Sequence, residues 1–251
     1  MIDIIIHGCG GKMGKVVESI VNADDACRVV AGIDPRDSLQ ADYPVFKSAA
    51  ECTVKGDVII DFSTATAIPA LLDYCKTSQT PVVLCTTGFS DELNAQVKEY
   101  SNSVAVLKSA NMSVGVNLIM SLVQKAAETL FDTGFDIEIV EKHHNQKIDA
   151  PSGTAIAIAD SINEALDNQL EYVYDRSQVR QKRDRKELGL HAVRGGTIVG
   201  EHDVIFAGKD EIVTISHTAM SKEIFAVGAV KAAKYLAGKP AGFYTMKDVL
   251  K

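Results

Sequence analysis

The fold is decided by a run near the amino terminus, Ile2-Asp3-Ile4-Ile5-Ile6-His7-Gly8-Cys9-Gly10-Gly11-Lys12-Met13-Gly14. Its first part is a short apolar segment that ends at a glycine, which is typical of a strand buried on both faces of a parallel sheet. A helical pattern follows from about residue 13 to residue 22. The glycines predict a tight turn between strand and helix, with amides at the helix start directed at an anion.

The glycine spacing is that of a dinucleotide-binding turn, although such turns also occur for purely structural reasons. A second strand-like segment, residues 28–33, ends at Asp34, twenty residues beyond Gly14. An acidic side chain there can accept a hydrogen bond from the ribose 2′-hydroxyl of NAD. Arg36 can instead pair with the 2′-phosphate of NADP. The residues therefore predict NADH or NADPH and leave the choice open. By itself, the stretch Asp34-Pro35-Arg36 would be a solvated turn.

Further strand-like segments, at 58–61, 81–85 and 104–107, alternate with helical ones. This alternation predicts an α/β fold, a Rossmann-like doubly wound parallel sheet, whose ligands bind at the carboxyl ends of the strands. Small polar residues at those ends are suited to lining a ribose and a nicotinamide. They are Asp61-Phe62-Ser63, Cys85-Thr86-Thr87-Gly88-Phe89 and Ser109-Ala110-Asn111-Met112.

The pattern changes after Asn111. A helix is expected over 114–130 and a strand over 135–140, and three more strands at 187–193, 197–206 and 212–217 have no helices between them. Such a sheet is mixed or antiparallel with one open face, which often associates with a copy of itself. We predict a dinucleotide-binding domain of residues 1–112 and 218–251. Residues 113–217 are expected to form a second, α+β domain with a mixed, open sheet.

Most of the chemistry lies in the run Glu141-Lys142-His143-His144-Asn145-Gln146-Lys147-Ile148-Asp149-Ala150-Pro151-Ser152-Gly153-Thr154. Ser152 follows a proline and precedes an apolar helical pattern, so it is the expected N-cap of a helix. Free amides of Ser152, Gly153 and Thr154, with the positive end of the helix dipole, would bind a carboxylate or phosphate. Two imidazoles and an ammonium beside them predict an acid site for an anionic substrate.

Composition limits what the protein can be. The chain has 251 residues, 46% of them apolar and 24% charged, with a net charge of −7, as in an ordinary globular protein without nucleic-acid partners. The basic segment 176–186 is interrupted by Gln and Asp and is expected to be a solvated loop. Five scattered cysteines without a C-x-x-C pair indicate neither disulfides nor a metal site. We find no targeting signal and no membrane-spanning stretch, and we expect a cytoplasmic protein.

Several motifs together resemble a known family. They lie at residues 8–14, 61–63, 86–89, 111–117, 141–154, 190–196 and 199–202. In these motifs the chain is similar to the 4-hydroxy-tetrahydrodipicolinate reductase family, formerly called dihydrodipicolinate reductase, of bacterial diaminopimelate and lysine biosynthesis. The resemblance implies NAD(P)H-dependent reduction of 4-hydroxy-tetrahydrodipicolinate, a small cyclic dicarboxylate, to tetrahydrodipicolinate. One departure is Cys85, where a glycine is usual.

The resemblance also implies individual roles. His143 is the general acid/base and Lys147 the proton donor. His144, Gly153 and Thr154 bind the substrate, and the argument from free amides adds Ser152. The resemblance further implies a homotetramer that is assembled through the sheet of the second domain, and an enzyme without a metal. The implied cofactor contacts are Gly8, Cys9, Gly10, Gly11, Lys12, Met13, Asp34, Cys85, Thr86, Thr87, Ser109, Ala110, Asn111 and Met112, to which charge adds Arg36.

Other interpretations stay open on the residues alone. The glycine turn permits another nicotinamide-dependent dehydrogenase, acting on a small amino or keto acid. A dinucleotide sensor without enzymatic activity would need no acid site. His143 and His144 could also be a hydrogen-bonded pair at a strand end. None of these explains His143, Lys147, Gly153 and Thr154 together.

Overall fold

The computed structural model describes residues 1–36 and 39–251, which divide into two compact units. The first unit consists of Met1–Val114 and Glu223–Lys251, and the second of Gly115–Lys222. Each unit has its own sheet.

Seven parallel strands form the sheet of the first unit. They are β1 (Ile2–His7), β2 (Cys27–Ile33), β3 (Val45–Phe46), β4 (Val58–Asp61), β5 (Val82–Leu84), β6 (Ala105–Lys108) and β12 (Gly242–Tyr244), in the order β12-β6-β5-β4-β1-β2-β3. The helices of this unit are α1 (Lys12–Asn22), α2 (Ile68–Ser78), α3 (Asp91–Tyr100), α6 (Glu223–Leu236) and α7 (Met246–Val249). The predicted doubly wound parallel sheet is therefore confirmed.

The apolar run in β1 is continuous because both faces of this strand are buried. Ile4 and Ile6 pack in one cluster with Val17 of α1, whereas Ile5 packs in a second cluster with Leu71 of α2. Helices thus cover the sheet on both sides, as parallel sheets require. Met246 of the carboxyl-terminal segment is fully buried in the first of these clusters.

The second unit has a five-stranded mixed sheet. Its strands are β7 (Asp136–His143), β8 (Glu171–Val173), β9 (Glu187–Arg194), β10 (Gly200–Ala207) and β11 (Ile212–Ala219), in the order β11-β10-β7-β9-β8. The β10 strand is antiparallel to β7 and β11, whereas β9 is parallel to β7 and β8. The mixed sheet predicted for this part of the chain is confirmed.

Helices α4 (Val114–Leu130) and α5 (Gly153–Ala165) belong to the hydrophobic core of the second sheet. Along β7, buried residues at 137, 139, 141 and 143 alternate with more exposed ones. The strand continues three residues beyond its predicted end, so that His143 is the last residue of β7.

The basic segment before β9 is an irregular and mostly exposed loop, as predicted, except at Arg176 and Arg183, which are half-buried in ion pairs. Arg183 donates from Nε to Oε1 of Glu138 at 2.8 Å and from Nη1 to Oδ1 of Asp136 at 2.8 Å. Arg176 pairs with Glu187 in the same region. The prediction was wrong for these arginines because their acidic partners lie on strands and were not visible as a local pattern. Within residues 1–36 and 39–251, no helix is long and apolar enough to cross a membrane.

Candidate active site

Glu141 is the centre of a polar cluster at the end of β7, and its side chain is fully buried. Its Oε2 accepts from Nδ1 of His143 at 2.6 Å and from Nη1 of Arg194 at 2.7 Å. Its Oε1 accepts from Nη2 of Arg194 at 2.7 Å and from the amide of Ser152 at 2.9 Å. Burial alone would raise the pKa of Glu141, but the hydrogen bonds from Arg194, His143 and Ser152 outweigh it and hold the pKa below its usual value.

The bond to Glu141 sets the orientation of the buried His143 ring. An ionised carboxylate can only accept, so Nδ1 carries the hydrogen and Nε2 is the atom left to exchange a proton. Gly200 of β10 lies beside this atom, and a Cβ at position 200 would be 3.0 Å from Nε2. The glycine therefore leaves Nε2 of His143 uncrowded.

His202 on β10 lies next to His143, with the ring centroids 5.3 Å apart and the rings nearly perpendicular at 76°. Its Nε2 is 3.1 Å from Oγ of Ser152. Burial is the main cause that lowers the pKa of His202 to about 4, and the nearby His143 adds to it. His202 is therefore neutral at neutral pH and does not repel a protonated His143.

Helix α5 begins at Gly153 with Ser152 as its N-cap, as predicted, because Oγ of Ser152 accepts from the amide of Ala155 at 3.1 Å. The expectation of three free amides is wrong for Ser152, whose buried N–H donates to Glu141, and for Gly153, whose amide bonds to the carboxylate of Asp149. Gly153 is exposed, and a side chain there would meet no atom within 4 Å. Thr154 follows it in the first turn and is half-buried. An anion can therefore approach this end of α5 at Gly153.

Lys147 lies in the segment between β7 and α5, and its Nζ is 2.8 Å from Oδ1 of Asp149. The Lys147 side chain is 20% exposed and that of Asp149 is 59% exposed. Pairing with Lys147 is the main cause that lowers the pKa of Asp149, and the amide of Gly153 contributes. Asp149 thus shares two of the donors predicted for a substrate carboxylate. The half-buried His144 accepts from the amide of Lys147 through its carbonyl oxygen at 3.1 Å.

In the first unit, the glycine turn has the predicted close packing. Gly8 has φ of +82°, and a Cβ there would lie 2.6 Å from the carbonyl oxygen of Phe62. A Cβ at Gly14 would clash with the carbonyl oxygen of Gly8. Gly11 caps α1 without a side-chain hydrogen bond. The N-cap residue therefore leaves the first-turn amides of α1, including those of Lys12 and Met13, able to face an anion.

Asp34 and Arg36 lie directly beside this turn. The buried Asp34 carboxylate accepts from Nε and Nη2 of Arg36, both at 2.8 Å, and from the amide of Gly10 at 3.0 Å. The bond to Arg36 is the main cause that holds the pKa of Asp34 below its usual value. Cys9 in the turn is buried, and burial raises its pKa to about 11, so it stays a thiol.

The other predicted cofactor residues follow β5 and β6. Parallel pairing of Asp61 with Leu84, and of Leu84 with Lys108, brings the carboxyl ends of β4, β5 and β6 to one edge of the sheet. The residues there differ in exposure: Cys85, Thr86 and Ser109 are half-buried, Thr87 and Ala110 exposed, and Asn111 and Met112 buried. The Met112 side chain packs in the core.

Sequence reasoning gave no role to four polar residues that the structure brings to these sites. They are Glu141, Arg194, His202 and His7, whose Nδ1 is 2.8 Å from Oδ1 of the buried Asp61. Glu141 had a signal, since an acidic residue at an inward position of an alternating strand is unusual.

The part of the chain that the structure describes contains no group of three or more His, Cys, Asp or Glu side chains that could hold a metal.

Comparisons with known proteins cover both units. Family models described as dihydrodipicolinate reductase, N-terminus and C-terminus, match residues 2–112 and 115–250. The 4-hydroxy-tetrahydrodipicolinate reductase of Caldanaerobacter subterraneus subsp. tengcongensis is 53% identical over 251 residues, which are 100% of this chain and 99% of the relative. The protein of the same name from Brachyspira hyodysenteriae is 49% identical over 98% of this chain and 99% of its own length.

Solved structures agree with these sequences. A dipicolinate-bound dihydrodipicolinate reductase from Paenisporosarcina sp. TG-14 matches with a TM-score of 0.83 and 25% identity, over 98% of this chain and 97% of that chain. A probable dehydrogenase from Thermotoga maritima matches with a TM-score of 0.60 at 10% identity, over 99% of this chain and 92% of that chain. The second likeness shows a common fold alone.

We expect His202 to make the protein less stable in acid. The unfolded chain takes up this proton near pH 6.5, whereas the folded protein does so only near pH 4, so between these values the unfolded state binds more protons and stability falls as the pH falls. The shift corresponds to roughly 3 kcal/mol. Urea unfolding at about pH 7 and about pH 4.5 should show a smaller pH difference in His202→Asn than in the unsubstituted protein. The half-exposed His144, changed to Asn, is the control. Equal pH dependence in His202→Asn and the unsubstituted protein would contradict this expectation.

Proposed function

The chain belongs to the dihydrodipicolinate reductase family, and from this premise we propose that it reduces 4-hydroxy-tetrahydrodipicolinate to tetrahydrodipicolinate with NADH or NADPH, in diaminopimelate and lysine biosynthesis. The observation that carries the proposal is His143, held by the buried Glu141 in the same short segment as Lys147 and the open start of α5. The alternative, another nicotinamide-dependent dehydrogenase of a small amino or keto acid, is not favoured, because both units match this one family.

A ring with two carboxylates needs donors in two places. In this proposal one carboxylate takes the amides of Gly153 and Thr154 at the positive end of α5. The other takes the ammonium of Lys147 and the imidazole of His144. Asp149 then gives up Lys147 and the amide of Gly153 to the substrate, so that a substrate carboxylate takes the place of its own carboxylate on these donors. Ser152 supports this arrangement as the cap of α5, with its own amide donated to Glu141.

Loss of the 4-hydroxyl of the substrate as water gives a conjugated C=C–C=N system, and hydride addition to that system leaves electron density on the ring that a proton must neutralise. The nicotinamide, when bound, supplies the hydride. His143 is proposed as the general acid/base through Nε2, because its Nδ1 is committed to Glu141. Lys147 is proposed as the proton donor. When Asp149 has released Lys147, the Lys147 ammonium is next to the substrate anion, which favours the charged form until the proton is transferred.

The glycine turn fits a dinucleotide, since side chains at Gly8 or Gly14 would clash with the backbone that packs the turn, and the N-cap Gly11 of α1 makes no side-chain hydrogen bond to its first amides. The residues proposed to hold it are Gly8, Cys9, Gly10, Gly11, Lys12, Met13, Asp34, Arg36, Cys85, Thr86, Thr87, Ser109, Ala110, Asn111 and Met112. For NADH, the ribose 2′-hydroxyl would add a hydrogen bond to Asp34. For NADPH, the 2′-phosphate would draw the Arg36 guanidinium away from Asp34, which keeps the amide of Gly10.

We also propose a homotetramer assembled through the sheet of the second unit, in the cytoplasm. Strand β11 lies at the edge of that sheet and exposes Ile212 and Val213. Exposed apolar side chains on a long edge strand favour association with another chain. All five cysteines are free thiols, as expected in a reducing compartment.

Substitution of either proposed acid should slow turnover and spare cofactor binding. We expect His143→Gln and Lys147→Ala each to lower kcat by about two or more powers of ten. The Kd for NADH, measured by fluorescence titration, should not change, because the glycine turn belongs to the other unit. Lys125→Ala is the matched control, since Lys125 also pairs with a nearby carboxylate, that of Glu128, on an exposed helix face. Unchanged kcat in a site variant removes that residue from the mechanism.

The pair beside the glycine turn should set cofactor preference. Asp34→Ala is expected to weaken the binding of NADH about tenfold more than that of NADPH. The substitution removes the acceptor for the ribose hydroxyl and leaves Arg36 free for a phosphate. Arg36→Ala should weaken NADPH more than NADH. Steady-state KM values with each cofactor measure both effects. Equal loss for the two cofactors in Asp34→Ala would contradict its ribose role.

The assembly can be measured directly. Light scattering of the purified protein should give four times the chain mass of 27.0 kDa. Ile212→Asp should reduce this mass, since it places a charge on the exposed edge strand. Ile148→Asp, which changes another isoleucine that is even more exposed but lies outside the sheet, should not. A single-chain mass for the unsubstituted protein would show that the proposed assembly does not form.

A further inference from the structure

We propose that Glu141 is a positioning residue that holds the acid His143 and the carboxylate-binding start of α5 in one fixed arrangement. This inference rests on the proposed function, because it assigns to Glu141 the support of residues that the function requires. In this proposal Glu141 contacts neither the substrate nor the cofactor. It acts through His143 and through Ser152, to both of which it is hydrogen-bonded.

Packing gives no reason for a carboxylate at this place. The neighbouring inward positions of β7 are Ile137 and Ile139, which belong to the hydrophobic core. Burying a carboxylate and a guanidinium costs several kcal/mol per ion before their attraction offsets it, and apolar replacements of such pairs are often at least as stable. The ion pair of Glu141 and Arg194 is therefore not expected to make the folded protein more stable than an apolar pair would.

The geometry assigns each oxygen of Glu141 to a different part of the site. Oε2 accepts from His143 and Oε1 accepts from the amide of Ser152, at 2.6 and 2.9 Å. The two Nη atoms of Arg194 bind both oxygens at 2.7 Å, so the carboxylate cannot rotate without breaking the fork. Nη2 of Arg194 also donates to the carbonyl oxygen of Asp149 at 2.6 Å. The segment between β7 and α5 is thus tied near both its ends to one carboxylate.

Among the described residues, Glu141 is the one anion in direct contact with the ring of His143. Arg194 approaches the cluster from β9, and the neutral His202 approaches from β10. His217 lies opposite His202, on β11. Lys147 and Asp149 form their own pair in the following segment. A proton on Nε2 of His143 makes an imidazolium whose Nδ1–H remains bonded to the carboxylate. Loss of that negative charge therefore makes the imidazolium less stable.

The test is Glu141→Gln, which keeps the size of the side chain and removes its charge. The pH above which kcat falls should move down, because the ring of His143 loses the negative charge that it contacts. kcat at neutral pH should fall about tenfold. Affinity for pyridine-2,6-dicarboxylate, measured by calorimetry, should also fall, since glutamine offers one acceptor oxygen where Glu141 uses two. The Kd for NADH should stay unchanged.

A matched control is Glu138→Gln. Glu138 lies on the same strand, accepts from a histidine, His191, at 2.7 Å and from an arginine, Arg183, at 2.8 Å, but points to the other face of the sheet. Its pH profile should match that of the unsubstituted protein. In addition, Glu141→Gln should have no further effect on kcat when it is added to His143→Gln, because Glu141 acts through that ring.

The outcomes separate this inference from the proposed function. If His143→Gln leaves kcat unchanged, the assignment of the acid fails. If His143→Gln slows turnover while Glu141→Gln keeps the original pH profile, or lowers kcat equally in the His143→Gln background, only the role of Glu141 fails. Should Glu141→Gln not fold, the double variant Glu141→Gln/Arg194→Gln removes both buried charges together, and its pH profile is held to the same expectation.

Discussion

A carboxylate with no access to water must find its hydrogen bonds within the protein, and this requirement organises the polar end of the second unit. Glu141 accepts from a side chain on its own strand, an arginine on the neighbouring strand and an amide at the start of α5. Leaving one of these bonds unmade would cost about 1–3 kcal/mol. The register of β7 and β9, the cap of α5 and the ring of His143 are therefore fixed by the same buried charge.

The first unit uses the same combination at its own helix start. The buried Asp34 accepts from the amide of Gly10 and from the fork of Arg36, just as Glu141 accepts from the amide of Ser152 and the fork of Arg194. In each case an acid bound by an arginine holds the backbone just before a helix whose first amides can face an anion. The difference is exposure: Arg36 is 55% exposed and Arg194 is 20% exposed. The Arg36 guanidinium is therefore accessible to a phosphate from solvent, whereas that of Arg194 is largely enclosed.

The sequence predicted the elements that carry a long periodic pattern. The helix over 114–130 and the strand at 58–61 have the predicted bounds, and Ser152 is the predicted cap. Strands β3, β8 and β12 were missed, because two or three residues cannot show a period and their pairing is decided by distant strands. The site divides in the same way. His143, Lys147 and Gly153 were visible in one local run, but Arg194 and His202 reach it through strand register, 53 and 50 residues from their partners Glu141 and Ser152. The ion pairs of Arg176 and Arg183 were missed for the same reason.

Exposure also decides which carboxylate of the site a substrate can replace. The pair of Lys147 and Asp149 is half open to water, and pairs of this kind contribute about 0–1 kcal/mol. An incoming carboxylate can therefore displace Asp149 at little cost and find an ammonium whose position was already restricted. The pair of Glu141 and Arg194 is closed, and breaking it would leave an uncompensated buried charge at a cost of roughly 3–5 kcal/mol. In the proposed function, the carboxylate of Asp149 is thus exchanged for the substrate, and that of Glu141 keeps the proposed acid in place while the exchange occurs.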